Sequence, residues 1–280
     1  MTTENVMPLV DNQTELDQFL EGVACARRSA LLLDYDGTLA PFSTDRQRAF
    51  PYPEVVPLLQ EIMASGRTRV VIVTGRSAPE AASLLGIDPV PEVWGAHGLQ
   101  RLMPDGSCEM PRLAPNVSRA LSDASGFLAQ QGFQHLAELK PGGVAVHWRG
   151  LPESRAVEVR ERVLRGWFPL AQNASMSVLE FDGGVEMRVA DMDKGDAVRT
   201  VIGEMDRDSP IAYLGDDATD ERAFHAVGSR GLSVLVRPEW RNTSARLWLK
   251  PPEELLKFLT RWRDACCRHE ALGESRNPSE

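Results

Sequence analysis

Short apolar runs recur along this chain, each closing on a polar turn and giving way to a stretch with helical spacing. Ser29–Leu33 (SALLL) runs into Asp34-Tyr35-Asp36-Gly37-Thr38. Arg69–Val73 (RVVIV) runs into Thr74-Gly75-Arg76 and then SAPEAASLLG. Ile211–Leu214 (IAYL) runs into Gly215-Asp216-Asp217 and then ATDERAFHAV. Unbroken apolar runs read as strands covered on both faces, and their alternation with helices predicts a parallel sheet with helices on either side. In such sheets ligands gather beyond the carboxyl ends of the strands, where all three polar clusters fall.

From about Pro104 to Val189 the pattern changes. Helical stretches (RALSDASGFLAQQ and PESRAVEVRERVLRGW) alternate with strand-like runs (VAVHWR, SMSVLEF and VEMRVA). The last two runs flank Asp182-Gly183-Gly184, a hairpin signal. The expected architecture is α/β: a Rossmann-like parallel-sheet core of residues 1–104 and 190–280, interrupted by an α+β domain over residues 105–189. Near the end, EELLKFLTRWRDACCRH reads as an amphipathic closing helix, and LGESRNPSE as a disordered tail.

Composition narrows the function more than the fold. The 280 residues are 42% hydrophobic and 25% charged, ordinary for a globular chain. A formal charge of −9 argues against nucleic acid as partner, because phosphate backbones are held by clustered Lys and Arg. No run approaches the roughly 20 apolar residues of a membrane span, and the N-terminus lacks the basic and apolar pattern of a secretory signal. Cys25, Cys108, Cys266 and Cys267 have no CxxC spacing, which favours reduced thiols and a cytoplasmic protein. The expected state is a monomer acting on a small molecule.

Asp34 and Asp36 carry the strongest chemical signal. Two carboxylates at i and i+2 leave a strand end on one side, and Gly37 lets the chain turn beside them. Such a pair offers a nucleophile, an acid/base and a metal site together, although DxDG also occurs in ordinary surface turns. Lys194, opening the helix of DMDKGDAVRTVI, can bring a point charge to a phosphate; an exposed helix lysine is the plainer reading. Asp216 and Asp217 in LGDDATDE suit a hard cation such as Mg²⁺, or else cap the next helix. Thr74 in VIVTGR offers a hydroxyl and turn amides to phosphate oxygens, or is itself a cap.

DYDGT, TGR, the DKG lysine and GDDATDE together resemble the four motifs of the haloacid dehalogenase-like phosphatases. More narrowly, LLLDYDGTLAPF, WGAHG, ELKPGGVAVHWR, VEMRV and YLGDDATDERAF resemble the trehalose-6-phosphate phosphatase family over roughly Leu31 to Phe224. The resemblance implies that Asp34 is the nucleophile and Asp36 the acid/base. It implies that Thr74 and Lys194 hold the phosphoryl oxygens. Mg²⁺ would sit on the Asp34 carboxylate, the Asp36 carbonyl and Asp216, with Asp217 and Asp220 in support. The inserted domain would be a cap in which Glu138, Lys140 and Glu186 grip sugar hydroxyls, and Arg76 would contact substrate. Without the resemblance, those three charges read as the polar face of half-exposed strands; His147 and Arg149 share one face of a predicted strand, where Arg149 could assist phosphate or sugar binding or equally serve packing or the surface. One position departs from the family: Gln100 stands where a Glu is usual. Two alternatives keep the fold: a phosphatase for another sugar or glyceryl-sugar phosphate, and a regulatory module without turnover.

Overall fold

A computed structural model of the chain describes residues 12–274 apart from 44, 182 and 191. Helix α1 (Asn12–Cys25) leads into β1 (Ser29–Leu33), followed by α2 (Val55–Ala64), β2 (Thr68–Val73) and α3 (Ala78–Leu85). Next come β3 (Glu92–Gly95), β4 (Gln100–Leu102) and β5 (Cys108–Glu109). A second group comprises α4 (Pro115–Gln130), β6 (Ala137–Lys140), β7 (Gly143–His147), α5 (Glu153–Ala174), β8 (Met176–Phe181) and β9 (Gly184–Val189). The chain returns through α6 (Lys194–Gly203), β10 (Ile211–Gly215), α7 (Glu221–Val227), β11 (Leu232–Val236) and β12 (Leu247–Leu249) to α8 (Glu253–Glu274).

The larger sheet has the order β12-β11-β10-β1-β2-β3-β4-β5, parallel from β12 to β3 and antiparallel at β4 and β5. Its central strands are buried on both faces because their side chains alternate between two apolar layers. Leu31 and Leu33 pack with α1, α2, α3 and α8, whereas Ala30 and Leu32 pack with α6 and α7. Truncating one of these leucines to Ala removes contacts on a fully covered face, a loss of about 2–5 kcal/mol. Register then fixes the working edge: Leu33 pairs with Leu214 on one side and Ile72 on the other, and Asp34 N donates to the Leu214 carbonyl at 2.9 Å. The residues just past β1, β2 and β10 therefore meet at one end of the sheet.

The second group forms a four-stranded antiparallel sheet, β6-β7-β9-β8, with its own apolar cluster. Val144, Val146, Val185 and Met187 pack against α4 and α5, with Trp167 and Leu128 buried among them. Alternation sends Glu138, Ala145 and Glu186, which are in register, to the opposite face, with Lys140, Gly143 and Arg188 in the next row. That face meets the larger unit.

The boundary expected at residue 104 differs from the pairing. Cys108–Glu109 joins β4 in the larger sheet, and the first helix of the smaller unit begins only at Pro115. A two-residue exposed strand has no apolar run to announce it in sequence. Asp182, within the expected hairpin turn, lies outside the described residues, while β8 and β9 pair on either side of it. The tail expected to be disordered also falls outside them from residue 275 onward. Among the described residues, no helix is long and apolar enough to cross a membrane.

Candidate active site

Asp34 leaves the end of β1 buried, with Tyr35 packed into the core and Asp36 half-buried two residues on. Gly37 follows at φ +82°, in the left-handed region. A side chain there would meet more than strain: a Cβ would lie 2.3 Å from Asp216 Oδ2. The DYDG turn and the β10 end thus touch through the one residue that leaves room.

Lys194 reaches this pair from the first turn of α6. Its position is set by a capping box, in which Asp193 accepts from the Gly195 and Asp196 amides while Asp196 accepts from the Asp193 amide. Lys194 Nζ then donates to Asp34 Oδ1 at 2.7 Å and to Asp220 Oδ1 at 2.8 Å. Asp220 also accepts from Tyr213 OH at 2.6 Å and from the Asp216 and Asp217 amides, both at 3.0 Å. Its two oxygens are saturated. Asp217 is occupied locally, accepting from the Thr219 amide and hydroxyl.

The charges in this cluster do not balance. Burial pushes the Asp34 carboxyl up to about 8, and the charges of Asp220 and Asp217 add to this against the pull of Lys194. Burial, then Asp34, Asp220 and Asp217, raise Asp216 well above the usual carboxylate range. Burial by itself would lower the Lys194 ammonium, but Asp220 and Asp34 outweigh it and raise it well above its ordinary value. One buried ammonium thus faces several buried carboxylates.

The end of β2 supplies the third side. Thr74 is fully buried, and its Oγ1 accepts from the Arg76 amide at 3.2 Å. Arg76 itself is turned toward Asp36, donating from Nε to Oδ2 and from Nη2 to Oδ1, each at 2.7 Å. Nη1 donates to Glu80 at 2.5 Å and to the Arg46 carbonyl at 2.8 Å. Two of these four bonds hold the acid/base candidate Asp36 in a bidentate fork, which places Arg76, expected as a substrate contact, beside the site. Gln100 accepts at Oε1 from the Ala78 amide, the first donor of α3, at 3.1 Å. That task needs an acceptor oxygen and no charge.

Across the cleft, the open face of the smaller sheet presents the expected row. Lys140 Nζ lies 3.2 Å from Glu186 Oε1 and 3.8 Å from Glu138 Oε2. Although burial opposes ionisation of Glu186, the His97 contact and the charges of Lys140 and Arg188 hold its pKa well below the usual range. Burial lowers Lys140, with Glu186 opposing.

Comparison with known proteins settles the lineage. A match to the trehalose-phosphatase family spans residues 32–247, most of the chain and all of the residues above. The chain belongs to the trehalose-phosphatase family. It is 31% identical over 249 residues to the trehalose-phosphate phosphatase of Mycobacterium marinum, covering 84% of this chain and 61% of that protein. The chain therefore spans about three fifths of that relative's length. In fold it is similar to the C-terminal domain of the C. albicans trehalose-6-phosphate phosphatase, with TM-score 0.75, 19% identity, and coverage of 94% of this chain and 99% of that one. It is also similar to a haloacid dehalogenase-like hydrolase from Bacteroides thetaiotaomicron, with TM-score 0.60, 13% identity, and coverage of 84% of this chain and 99% of that one.

The donor set of this trehalose-phosphatase family member fits a divalent cation. Asp34, Asp216 and Asp220 each bring an oxygen within 4.8 Å of the others. Asp220 is already saturated, but Asp216 Oδ2 is buried without a hydrogen-bond partner. An orphaned carboxylate oxygen beside a second buried carboxylate is a site for a hard cation.

Two residues outside the expected set also meet the row of Glu138, Lys140 and Glu186. His97 lies in a tight turn at φ +57° with its ring against Gly75, where a Cβ would come within 2.7 Å. Its Nε2 is 3.3 Å from Glu186 Oε2, while buried Nδ1 has no partner, so the contacts assign a neutral ring protonated at Nε2. Burial pushes its pKa down to about 4 despite Glu186. Arg46, in the 3₁₀ turn Arg46–Arg48, pairs with Glu138. WGAHG was visible as a motif without a role for its His; nothing local marked Arg46.

Proposed function

We propose that this protein hydrolyses trehalose 6-phosphate to trehalose and inorganic phosphate through a phosphoryl group carried on Asp34. The observation that carries the reading is Lys194 Nζ, 2.7 Å from Asp34 at the carboxyl end of β1, with Asp36 held two residues on by the Arg76 fork. A buried carboxylate beside an ammonium is a nucleophile placed where anionic oxygens are welcome.

In the first step an Asp34 oxygen attacks phosphorus and the bond from phosphorus to the sugar oxygen breaks. Asp36 gives its proton to the departing oxygen. Water then attacks phosphorus, Asp36 takes the water's proton, and the bond to Asp34 breaks to release phosphate. Lys194 and the Thr74 hydroxyl hold the phosphoryl oxygens in both steps, and Asp220 keeps Lys194 charged and aimed. Asp34 and Asp216, with the Asp36 carbonyl, would hold Mg²⁺, which would supply positive charge beside the phosphoryl oxygens and favour the ionised form of Asp34. The smaller unit acts as a cap, with Glu138, Lys140 and Glu186 accepting from and donating to sugar hydroxyls. Four free cysteines fit a cytoplasmic setting.

Phosphate release from a panel of sugar phosphates, with Mg²⁺ and with chelator, tests the reading. It predicts preference for trehalose 6-phosphate that the chelator abolishes. Metal-dependent release favouring another sugar would refute the substrate and keep the chemistry; no release at all would refute both.

A further inference from the structure

The Arg46 side chain crosses from the larger unit to the smaller one. Its turn is anchored by Asp45, whose Oδ1 accepts from the Gln47 amide at 3.1 Å. The guanidinium pairs with the Glu138 carboxylate, and Nη1 lies 3.3 Å from His147 Nε2. His147 Nε2 is itself 2.8 Å from Glu138 Oε2, and Lys140 Nζ approaches the same oxygen at 3.8 Å. Every contact named for this carboxylate thus falls on Oε2. At 30% and 22% exposure, the Arg46 and Glu138 side chains form a pair largely withdrawn from water, unlike a fully solvated surface bridge.

The backbone of the same residue has a different task. The Arg46 carbonyl accepts from Arg76 Nη1 at 2.8 Å, beside the fork that holds Asp36. Replacing the Arg46 side chain leaves that carbonyl in place. The two roles are separable by mutation.

We infer that the Arg46 side chain is a positioning residue for the sugar subsite: it holds Glu138 Oε2 across the cleft and so orients the carboxylate's other oxygen toward sugar hydroxyls. This rests on the proposed reading of Glu138 as a sugar-binding group. Discrimination in favour of a sugar phosphate then depends on a side chain that takes no part in phosphoryl transfer.

The test compares Arg46→Ala and Arg46→Lys with the wild type on trehalose 6-phosphate and on a small aryl phosphate. Losing one partner of a half-buried charge pair predicts a KM for the sugar phosphate raised about tenfold in Arg46→Ala, with kcat and the aryl-phosphate kcat/KM within about twofold. Arg46→Lys keeps the charge and recovers part of the loss. An unchanged sugar KM overturns the inference, as does a parallel fall on both substrates, which marks a merely structural role. If the wild type shows no preference for trehalose 6-phosphate, the functional reading fails on its own. Arg46 is then judged by amide hydrogen exchange: faster exchange over residues 137–147 in Arg46→Ala, with residues 29–33 unchanged, supports the cross-cleft hold, and unchanged exchange overturns it.

Discussion

Lys194 Nζ donates to Asp34 Oδ1 at 2.7 Å, joining the start of α6 to the end of β1 across 160 residues of chain. With Asp34 pushed up to about 8 by burial and its acidic neighbours, the ammonium is the one positive side chain in contact with it among the described residues. Lys194→Met is expected to lower kcat/KM by about 10²–10³-fold at saturating Mg²⁺, the scale for losing one preorganised charge at a reacting centre. Steady-state kinetics on protein with a wild-type circular dichroism spectrum checks it; a loss under threefold would remove Lys194 from the chemistry.

Asp220 predicts stability rather than rate alone. All of its four partners are donors: Lys194, Tyr213 and two amides. Asn has one acceptor oxygen and turns its NH₂ on the remaining donors. Asp220→Asn is therefore expected to cost about 3–5 kcal/mol in urea unfolding, the range for breaking a buried charged network. Tyr213→Phe, which removes one donor, should cost about 1–2 kcal/mol.

Much of this arrangement is legible in the sequence, for physical reasons. SALLL, RVVIV and IAYL are unbroken because their strands are covered on both faces, and the turns after them meet at one sheet edge. β5 is invisible because a two-residue exposed strand needs no apolar pattern. From the residues alone Glu138, Lys140 and Glu186 read as a solvated strand face, since alternating charges mark one, and only the family resemblance pointed to sugar hydroxyls. Arg46 meets His147 across 101 residues, and no local pattern encodes such a contact. The three-way hold of Arg76 on Asp36, Glu80 and a carbonyl is a tertiary fact that TGR does not spell out.

Gly37 should tolerate no side chain. Gly37→Ala places a methyl 2.3 Å from Asp216 Oδ2 at φ +82°, so either the turn or the carboxylate must move. Backbone strain of this kind costs about 1–3 kcal/mol. Calorimetric titration should find Mg²⁺ affinity weakened at least about tenfold, since the displaced group is a candidate ligand. Unchanged affinity would separate Asp216 from the metal.

The two partly buried histidines should make a destabilising contribution in acid. Burial lowers both His97 and His147 to about 4, against an ordinary value of 6.5. Below pH 6.5 the unfolded chain takes up protons that the folded rings refuse, so the histidines' contribution to stability falls as pH drops from about 6.5 to 4. His97 contributes at most about 3 kcal/mol to that fall, from a shift worth 1.36 kcal/mol per pH unit. Glu186 acts lower still: its depressed pKa gives stability that is present above its ordinary value of 4.5 and lost beneath it. Asp34 and Asp216, raised by burial, change stability in the opposite sense over the same window and are common to both proteins, so the test is a difference: from pH 7 to 4 the wild type should lose unfolding free energy relative to His97→Gln. A difference between the two proteins that does not change with pH over that window would contradict the neutral assignment of His97.

The central claim is that Asp34 carries the phosphoryl group, and acid quenching during turnover of ³²P-labelled trehalose 6-phosphate tests it most directly. Label retained on the wild type, stable in acid, released by alkali and absent from Asp34→Asn is the predicted result. Wild-type turnover without any trapped label, or label that persists in folded Asp34→Asn, would contradict it.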